Sequence, residues 1–318
     1  MSSEKYQSLY SDSARFMKAK LKWRGIHTVV LREIGERIVG SSVLDVGCGF
    51  GRFSLLAARV GARVTGADFM ENAISVARVL SKASGIEAEF ICADMEAEIP
   101  EGPQFDIIYL GGVLEHLSNP LRLLKSAVRR LTPTGIIVAN CPNESNFRGD
   151  VSATLWLLKK FPMTANDAQM LLPSDIESLA ANCGLKVDRV IGTSYGRGWS
   201  KTGYEDLVER LPIVSRVLRE AGREEDLQID EFLEWAARRL IENDRLLQLW
   251  IDQGFLQLIP RREQLQFDNE LLGRSGLDVG AVIDYFAADF SMDPWYCPHE
   301  PISRLGGQAI YFMSVKGR

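Results

Sequence analysis

An α/β fold with a buried, mostly parallel sheet is predicted, because short apolar strands alternate along the chain with helical stretches. This alternation is the pattern of successive βαβ units. The runs FDIIYL and GIIVA are continuously apolar, which is typical of strands covered by helices on both faces. The chain has 318 residues, of which 46% are hydrophobic and 25% charged, so it can enclose a sizeable core.

The first half of the chain is predicted to hold an N-terminal helix and five strands. An amphipathic helical pattern runs from about Ser11 to Val39. The five predicted strands are VLDV, RVTGAD, EAEFICAD, FDIIYLGG and GIIVAN. Between them, helices are predicted over RFSLLAARVG, ENAISVARVLSKASG and LRLLKSAVRRL, and Gly61 and Gly85 close the first two.

The second half is predicted to be mainly helical before one last strand. Helices are expected over ATLWLLKKF and PSDIESLAANCGL, the latter with Ser174 as its N-cap and Gly184 as its stop. The strand KVDRVIGTSY follows. Two amphipathic stretches, YEDLVERLPIVSRVLREAG and EEDLQIDEFLEWAARRLIENDRLLQLWIDQG, precede the last strand, GGQAIYFMSVKG.

Charge and composition limit the classes of function. A formal net charge of −5 argues against a broad nucleic-acid footprint. No stretch is apolar for long enough to span a bilayer, and residues 1–16 lack the basic and apolar regions of a signal peptide. The five cysteines form no CxxC pair, which indicates reduced thiols and no metal site. We therefore expect a cytoplasmic protein that has no nucleic-acid partner and no membrane span.

The strongest local signal is VLDVGCGFGR, in which a strand leads through three glycines into a helix. Gly47, Gly49 and Gly51 would let the chain turn sharply and let a ligand lie against the backbone. The N-terminus of the next helix offers free N–H groups and a positive dipole, which suit a carboxylate or a phosphate. A tight turn that binds no ligand is the alternative interpretation.

Acidic residues end the next two predicted strands. Asp68 lies about twenty residues after Gly47, where a carboxylate can accept hydrogen bonds from two ribose hydroxyls. It could instead cap the helix that starts near Glu71. Asp94 and Met95 would suit the amino group and the ring face of an adenine, although a simple loop aspartate is the alternative. Parallel strands end at one edge of the sheet, so these sites should lie together.

Taken as a set, VLDVGCGFGR, VTGAD, CADME and FDIIYLGGVLEHLSNP resemble the successive motifs of class I S-adenosylmethionine (SAM)-dependent methyltransferases, over about residues 40–195. The resemblance implies a Rossmann-like three-layer αβα sandwich with a seven-stranded, mostly parallel sheet. Its last strand would be antiparallel and would lie between the fifth and the sixth. The resemblance also implies SAM as the cofactor and S-adenosyl-L-homocysteine as the product.

Within that class, the sequence is most similar to the ubiquinone-biosynthesis O-methyltransferases, of the type 11/12 methyltransferase group. The similarity is carried by LEHLSNP, LLKKFP, MLLPSDIESLAANCGLKV and IGTSY. The N-terminal helix lacks that group's histidine and asparagine pattern, and a long insertion separates the last two strands. The resemblance therefore implies the group's cofactor site but not its quinone-precursor substrate.

The resemblance implies a role for each cofactor-site position. The residues expected around the cofactor are Asp45, Gly47, Gly49, Gly51, Asp68, Phe69, Asp94, Met95, Leu110 and Gly111. Asp68 would hold the ribose, and Asp94 with Met95 the adenine. Leu110 and Gly111 would pass beneath the methionine portion, beside the reacting centre.

The acceptor side is predicted from residues near the same sheet edge. Methyl transfer is an in-line displacement, for which the protein aligns the acceptor and, for a hydroxyl, removes a proton. His116 is the candidate general base, since an imidazole titrates near neutral pH. Alternatively, the Glu115–His116 pair only orders its loop. Glu115, Tyr195 and Trp199 are the residues expected to contact the acceptor.

We expect a helical cover over residues 1–40, a SAM-binding core over 41–197, a mainly helical insertion over 198–305 and the last core strand over 306–318. The insertion would act as a lid, recognise the acceptor or form a homodimer.

The predicted function is SAM-dependent methylation of a small molecule, most simply of a phenolic, sugar or secondary-metabolite hydroxyl. A protein or lipid acceptor and a non-catalytic SAM-binding protein are the alternatives. A nicotinamide oxidoreductase is disfavoured, because the glycine spacing is GxGxG rather than GxGxxG.

Overall fold

The computed structural model describes residues 25–94, 99, 101–162, 167–220, 222, 228–258 and 295–317. The N-terminal part of the predicted cover, Met95, and most of the Asp- and Pro-containing end of the insertion lie outside these residues. The strands of the described part are β1 (Ser42–Val46), β2 (Arg63–Asp68), β3 (Glu89–Cys92), β4 (Phe105–Gly111), β5 (Leu131–Pro142), β6 (Leu185–Thr193), β7 (Gln257–Leu258), β8 (Trp295–Cys297) and β9 (Gln308–Val315).

The helices of the described part surround this sheet or belong to the insertion. They are α1 (Gly25–Ile34), α2 (Arg52–Arg59), α3 (Glu71–Ser84), α4 (Pro120–Arg129), α5 (Phe147–Lys159), α6 (Pro173–Asn182), α7 (Tyr195–Trp199), α8 (Lys201–Glu220) and α9 (Ile229–Asp252). None of these helices has the length and apolarity needed to cross a bilayer.

The sheet has the predicted core order. Across the described residues the order is β3-β2-β1-β4-β5-β9-β6-β8-β7. Strands β1 to β5 pair in parallel, and β9 lies antiparallel between β5 and β6. The predicted count of seven strands is wrong, because the short strands β7 and β8 extend the sheet beyond β6. They pair over only two residues each, too few for a periodic sequence signal.

Strand β4 shows how the sheet is buried on both faces. Ile108 and Leu110 point to a core shared with α4 and α6, and Ile107 and Tyr109 point to a core shared with α1 and α2. This alternation follows from the two-residue period of a strand. Each fully buried aliphatic side chain contributes about 1.5–3 kcal/mol, so the two cores hold the carboxyl ends of the strands in fixed positions.

Helix α6 begins differently from the prediction. Ser174 was expected to be its N-cap, but the helix starts at Pro173 and Leu172 occupies the cap position. The Asp175 carboxylate accepts a hydrogen bond from the Leu172 N–H at 2.8 Å. A proline in the first position already has helical φ, and its missing N–H is one that the first turn would leave unpaired, so the helix begins at Pro173, before Ser174.

The insertion packs against α5. The apolar side chains of Val151 and Leu155 on α5 meet Leu207 and Leu211 of α8 and also α9. The predicted helical character of both amphipathic stretches is confirmed over the bounds of α8 and α9.

An ion pair joins the same two helices. The Arg148 guanidinium on α5 donates to the Asp206 carboxylate on α8 at 2.8 and 3.1 Å. Burial alone would raise the pKa of Asp206, but Arg148 and Arg210 outweigh it and lower the pKa to about 2. The carboxylate therefore stabilises the folded state wherever it is ionised.

Replacing Asp206 with Asn should lower the free energy of unfolding near neutral pH by about 1–3 kcal/mol. Because the folded pKa is depressed, this difference should be present above pH 3.8 and should disappear as the pH falls towards about 2. Urea denaturation across this pH range measures it. The neighbouring Glu205→Gln is the control, since its ion pair with Lys201 is exposed and should contribute under about 1 kcal/mol. Equal effects of the two variants would contradict the prediction.

Candidate functional site

The turn between β1 and α2 is tied to the end of β2. The Gly47 and Cys48 N–H groups both donate to the Ala67 carbonyl, at 2.8 and 3.0 Å. Gly47 has φ +68°, and a Cβ there would lie 2.6 Å from the Val113 side chain. Gly51 has φ +72°, and its Cβ would lie 2.6 Å from the Phe90 ring. Left-handed backbone and close packing therefore both require glycine at these two positions.

Gly49 differs from its two neighbours in facing open space. Its φ is +53°, and a Cβ built on it would meet nothing within 4 Å. Its N–H donates to Asp68 Oδ2 at 2.9 Å. The turn thus exposes a strip of bare backbone beside a carboxylate, which is a surface that a small ligand can approach closely.

The Asp68 carboxylate bridges the two βα turns. Besides the Gly49 bond, Oδ1 accepts the Met70 N–H at 2.9 Å. Met70 precedes α3 and no side chain caps that helix, so the capping role considered for Asp68 is not the one observed. Burial raises the pKa of Asp68, although the two N–H groups oppose the shift. A carboxylate has about four acceptor positions, so two bonds leave it capacity for a ligand.

A second acid lies behind the turn. Asp45 is 2% exposed and accepts a hydrogen bond from Ser54 Oγ at 2.5 Å. Burial raises the pKa of Asp45 to about 7, and the Asp68 charge adds to the rise while Ser54 lowers it. Burial raises the pKa of the Cys48 thiol, and the charges of Asp45 and Asp68 raise it further. The turn is therefore an electronegative site that favours a cation.

A second part of the site follows β4. The chain forms a 3₁₀ turn over Leu114–His116, which places His116 Nδ1 3.3 Å from Asp167 Oδ1. The Glu115 carbonyl accepts the N–H groups of Ala168 and Gln169 at 3.0 and 3.3 Å. Gln169 Nε2 donates in turn to the Leu117 carbonyl at 2.8 Å. The turn and the segment that begins at Asp167 thus hold each other in place.

Glu115 is a buried acid in this turn. It is 6% exposed, and burial raises its pKa to about 7. The neighbouring His116 lowers the pKa, while Asp167 and Glu144 raise it. Its Oε2 is buried and has no hydrogen-bond partner among the described residues. A buried polar atom in that state is rare and indicates a missing partner.

An open cleft of about 380 Å³ lies against Glu115. Three of its lining residues are acidic (Glu115, Glu144 and Asp167) and two are aromatic (Trp156 and Phe161). A Cβ at Gly112, at the end of β4, would lie 3.5 Å from Glu115 Oε1. The cleft therefore opens beside the carboxyl end of β4, at the edge where the parallel strands end.

Comparison with known proteins decides the family. Residues 44–139 match the profile of a methyltransferase domain. The chain is 34% identical over 163 residues to a ubiquinone biosynthesis O-methyltransferase of Shewanella pealeana, covering 50% of this chain and 69% of that one. It is 31% identical over 176 residues to a protein of the same name from Coxiella burnetii, covering 54% and 75%. This chain is a SAM-dependent methyltransferase.

Solved structures are similar to parts or most of this chain. The [4+2]-cyclase SpnF has a TM-score of 0.50 at 16% identity, covering 91% of this chain and 79% of that one. The magnesium protoporphyrin IX methyltransferase of Synechocystis, solved with bound S-adenosylhomocysteine, has a TM-score of 0.47 at 18% identity, covering 59% and 89%. The methyltransferase described here uses SAM, as its family does, and the predicted fold class is confirmed.

The remaining predicted cofactor residues contribute unequally. Phe69 is 39% exposed and Asp94 is exposed, so both side chains are open to a ligand. The Leu110 side chain is fully buried in the core, and a Cβ at Gly111 would lie 2.5 Å from the Tyr109 ring. These two positions can therefore present only backbone. Met95 lies outside the described residues.

Two of the expected acceptor contacts are packing residues. Tyr195 is fully buried, and its hydroxyl donates to the Ile302 carbonyl at 2.7 Å. Trp199 Nε1 donates to the Leu305 carbonyl at 2.8 Å, and its ring centroid lies 5.0 Å from that of Trp250. Both side chains pack in a cluster around α7 and α9, and a contact of either with the acceptor stays a prediction.

Sequence reasoning missed the acids that join Glu115. Glu144 follows β5 at the carboxyl edge of the sheet, and that position was a signal that could have identified it. Asp167 lies in a segment with no helix or strand, so no periodicity marked it. Across the described part of the methyltransferase, no group of three His, Cys, Asp or Glu residues is arranged to hold a metal ion.

Asp45 should couple cofactor binding to pH. SAM carries a sulfonium charge, which would favour the ionised carboxylate and lower the pKa of Asp45 from about 7. SAM affinity should therefore rise between about pH 6 and about pH 7.5, with release of a proton on binding. Calorimetric titration in buffers of different ionisation enthalpy measures both effects.

The Asp45→Asn variant should lose this pH dependence, while Asp188→Asn, which changes an exposed acid, should keep it. A pH-independent affinity in the unsubstituted protein would contradict the prediction.

Gly49→Ala and Gly51→Ala should separate ligand binding from folding. Gly49→Ala meets only the left-handed backbone penalty of about 1–2 kcal/mol, so the protein should fold but lose S-adenosylhomocysteine affinity at least about tenfold. Gly51→Ala adds a clash with Phe90, which should lower the free energy of unfolding by a further amount of about 1–3 kcal/mol. Thermal unfolding and calorimetry on each variant give the two quantities. Unchanged cofactor affinity in Gly49→Ala would contradict a ligand at the open face.

Proposed function

We propose that this methyltransferase transfers a methyl group to a hydroxyl of a small molecule, such as a phenol, a sugar or another secondary metabolite. The observation that carries the proposal is the His116–Asp167 pair, 3.3 Å apart beside the open cleft. The O-methyltransferase names of the two relatives agree with an oxygen acceptor.

We further propose which residues hold the cofactor. Gly49 and its bare backbone would carry the methionine portion, with Gly47, Gly51 and Asp45 shaping the turn around it. The carboxylate of Asp68 would hold the ribose. Phe69, Asp94 and Met95 would surround the adenine, and the backbone of Leu110 and Gly111 would form the floor beside the reacting centre.

The chemistry assigned to the protein is proton removal and alignment. SAM, when bound, supplies a methyl group already activated for displacement. Asp167 Oδ1 lies 3.3 Å from His116 Nδ1, and a carboxylate at that distance favours the tautomer that carries its proton on Nδ1 and its lone pair on Nε2. Nε2 takes the proton of the acceptor hydroxyl as the oxygen attacks, and the Asp167 carboxylate stabilises the imidazolium that forms. The walls of the cleft hold the hydroxyl in line and exclude water.

The insertion supports the acceptor side in this proposal. Helix α5 presents Val151 and Leu155 to α8 and α9, and Ser152 and Trp156 to the cleft. The insertion therefore backs one wall of the cleft, which favours acceptor recognition over a detached lid. A homodimer through α9 stays a prediction, since Trp235 and Leu249 are exposed on that helix. Light scattering would measure the molecular mass of the protein in solution. The free state of all five cysteines agrees with the proposed cytoplasmic location.

Changing His116 to Gln should lower kcat by about 10²–10⁴-fold with little change in the KM for SAM, because a general base acts only in the transition state. Release of S-adenosylhomocysteine, measured with a panel of catechols, simple phenols and sugars, gives the rates. Asp167→Asn should also lower kcat, since the amide favours the wrong tautomer.

His299→Gln is the matched control, because this histidine is exposed and lies outside the cleft. An acceptor that is methylated equally well by the His116→Gln variant would rule out the proposed base.

A further inference from the structure

We infer that the cleft beside Glu115 binds a positively charged ammonium group of the acceptor, so that the substrate is a hydroxy compound that also carries a basic nitrogen. The inference deepens the proposed function. It depends on that function only for the hydroxyl that is methylated. It names a substrate class that the O-methyltransferase relatives do not imply.

Among the described residues, acidic side chains line the cleft and no lysine or arginine does. The acids are Glu115, Glu144 and Asp167. The Arg148 guanidinium lowers the pKa of Glu144 but donates both of its described bonds to Asp206, on the side of the insertion. His116 is the other basic group beside Glu115, and it faces Asp167.

One oxygen in the cleft lacks a partner. Glu115 is more than nine-tenths buried, and its Oε2 has no hydrogen-bond donor among the described residues. By contrast, Glu144 accepts a hydrogen bond from the Ser152 hydroxyl. Leaving a buried carboxylate oxygen unpaired is costly, and the positive charge of an ammonium group beside it would reduce that cost.

Burial and mutual repulsion also favour the protonated forms of the acids in the cleft. The pKa of Glu115 is raised to about 7 and that of Glu144 is raised as well. A cation that enters would ionise these groups, since an opposite charge within a few ångströms lowers a carboxyl pKa. The acids therefore repel each other when ionised and would be stabilised by a positively charged ligand.

The aromatic walls fit the same ligand. Trp156 and Phe161 line the cleft with the acids, and the face of an indole or phenyl ring attracts an ammonium group. The cleft is open to solvent, so the rest of the ligand can extend outwards from the charged group. The ammonium would serve as an anchor, because a protonated nitrogen has no lone pair to attack a methyl group.

The test uses two probes of equal shape and different charge. Choline has a permanent ammonium charge, and 3,3-dimethylbutan-1-ol replaces its nitrogen with carbon. Calorimetry on the protein saturated with S-adenosylhomocysteine should show choline binding about 10–100-fold more tightly than the neutral alcohol. Because the charge of choline does not titrate, its affinity should rise from about pH 6 to about pH 8 as Glu115 ionises.

Glu115→Gln keeps the shape of the side chain and should remove both the preference for choline and its pH dependence. The matched control is Glu209→Gln, an exposed acid on α8, which should change neither. Retained S-adenosylhomocysteine affinity shows that each variant is folded. If Glu115→Gln does not fold, the pH series on the unsubstituted protein and Glu144→Gln give the same comparison.

Equal binding of the two probes, binding of neither, or an unchanged preference in Glu115→Gln would overturn the inference. These outcomes leave the proposed function standing if neutral phenols or sugars are still methylated in a His116-dependent way. Conversely, selective binding of choline with no effect of His116→Gln on any turnover would keep the ammonium site and remove the proposed base.

Discussion

The hydrogen bond from the Gly49 N–H to the Asp68 carboxylate fixes the geometry on which the site depends. It joins the turn after β1 to the end of β2, and the second oxygen of the same carboxylate holds the turn that leads into α3. Two βα connections therefore share one anchor at the carboxyl edge of the sheet. The face of Gly49 stays open because the Asp68 carboxylate binds its backbone N–H and glycine has no side chain to cover that face.

Buried carboxyl groups occur on both sides of the sheet edge. Asp45 and Asp68 lie behind the glycine turn, and Glu115 and Glu144 lie beside the cleft. Burial is the largest cause of the raised pKa of each, so the fold forces these acids into positions where water cannot fully solvate them. Such groups lower the stability of the free protein and raise its affinity for cations. This combination is typical of a ligand-binding site.

The sequence could predict what is local in the chain. The strands, their core order, the glycine turn and Asp68 all depend on short motifs or on periodicity, and the structure has each where the pattern placed it. The cleft could not be predicted, because Glu115 and Asp167 meet only through long-range contacts between a turn and a segment without regular structure. The packing of Tyr195 could not be predicted for a related reason: an aromatic residue after a strand has the same local pattern whether it faces a ligand or packs against Trp250.

Helix α5 is a wall with two faces, one against the insertion and one against the cleft. The glycine turn and Asp68 touch neither face, since they are held by β1, β2 and α2. Under the proposed function, substitutions in α8 or α9 would act on the cleft through Trp156 and leave the cofactor end unchanged. The acceptor could then be varied independently of the methyl donor.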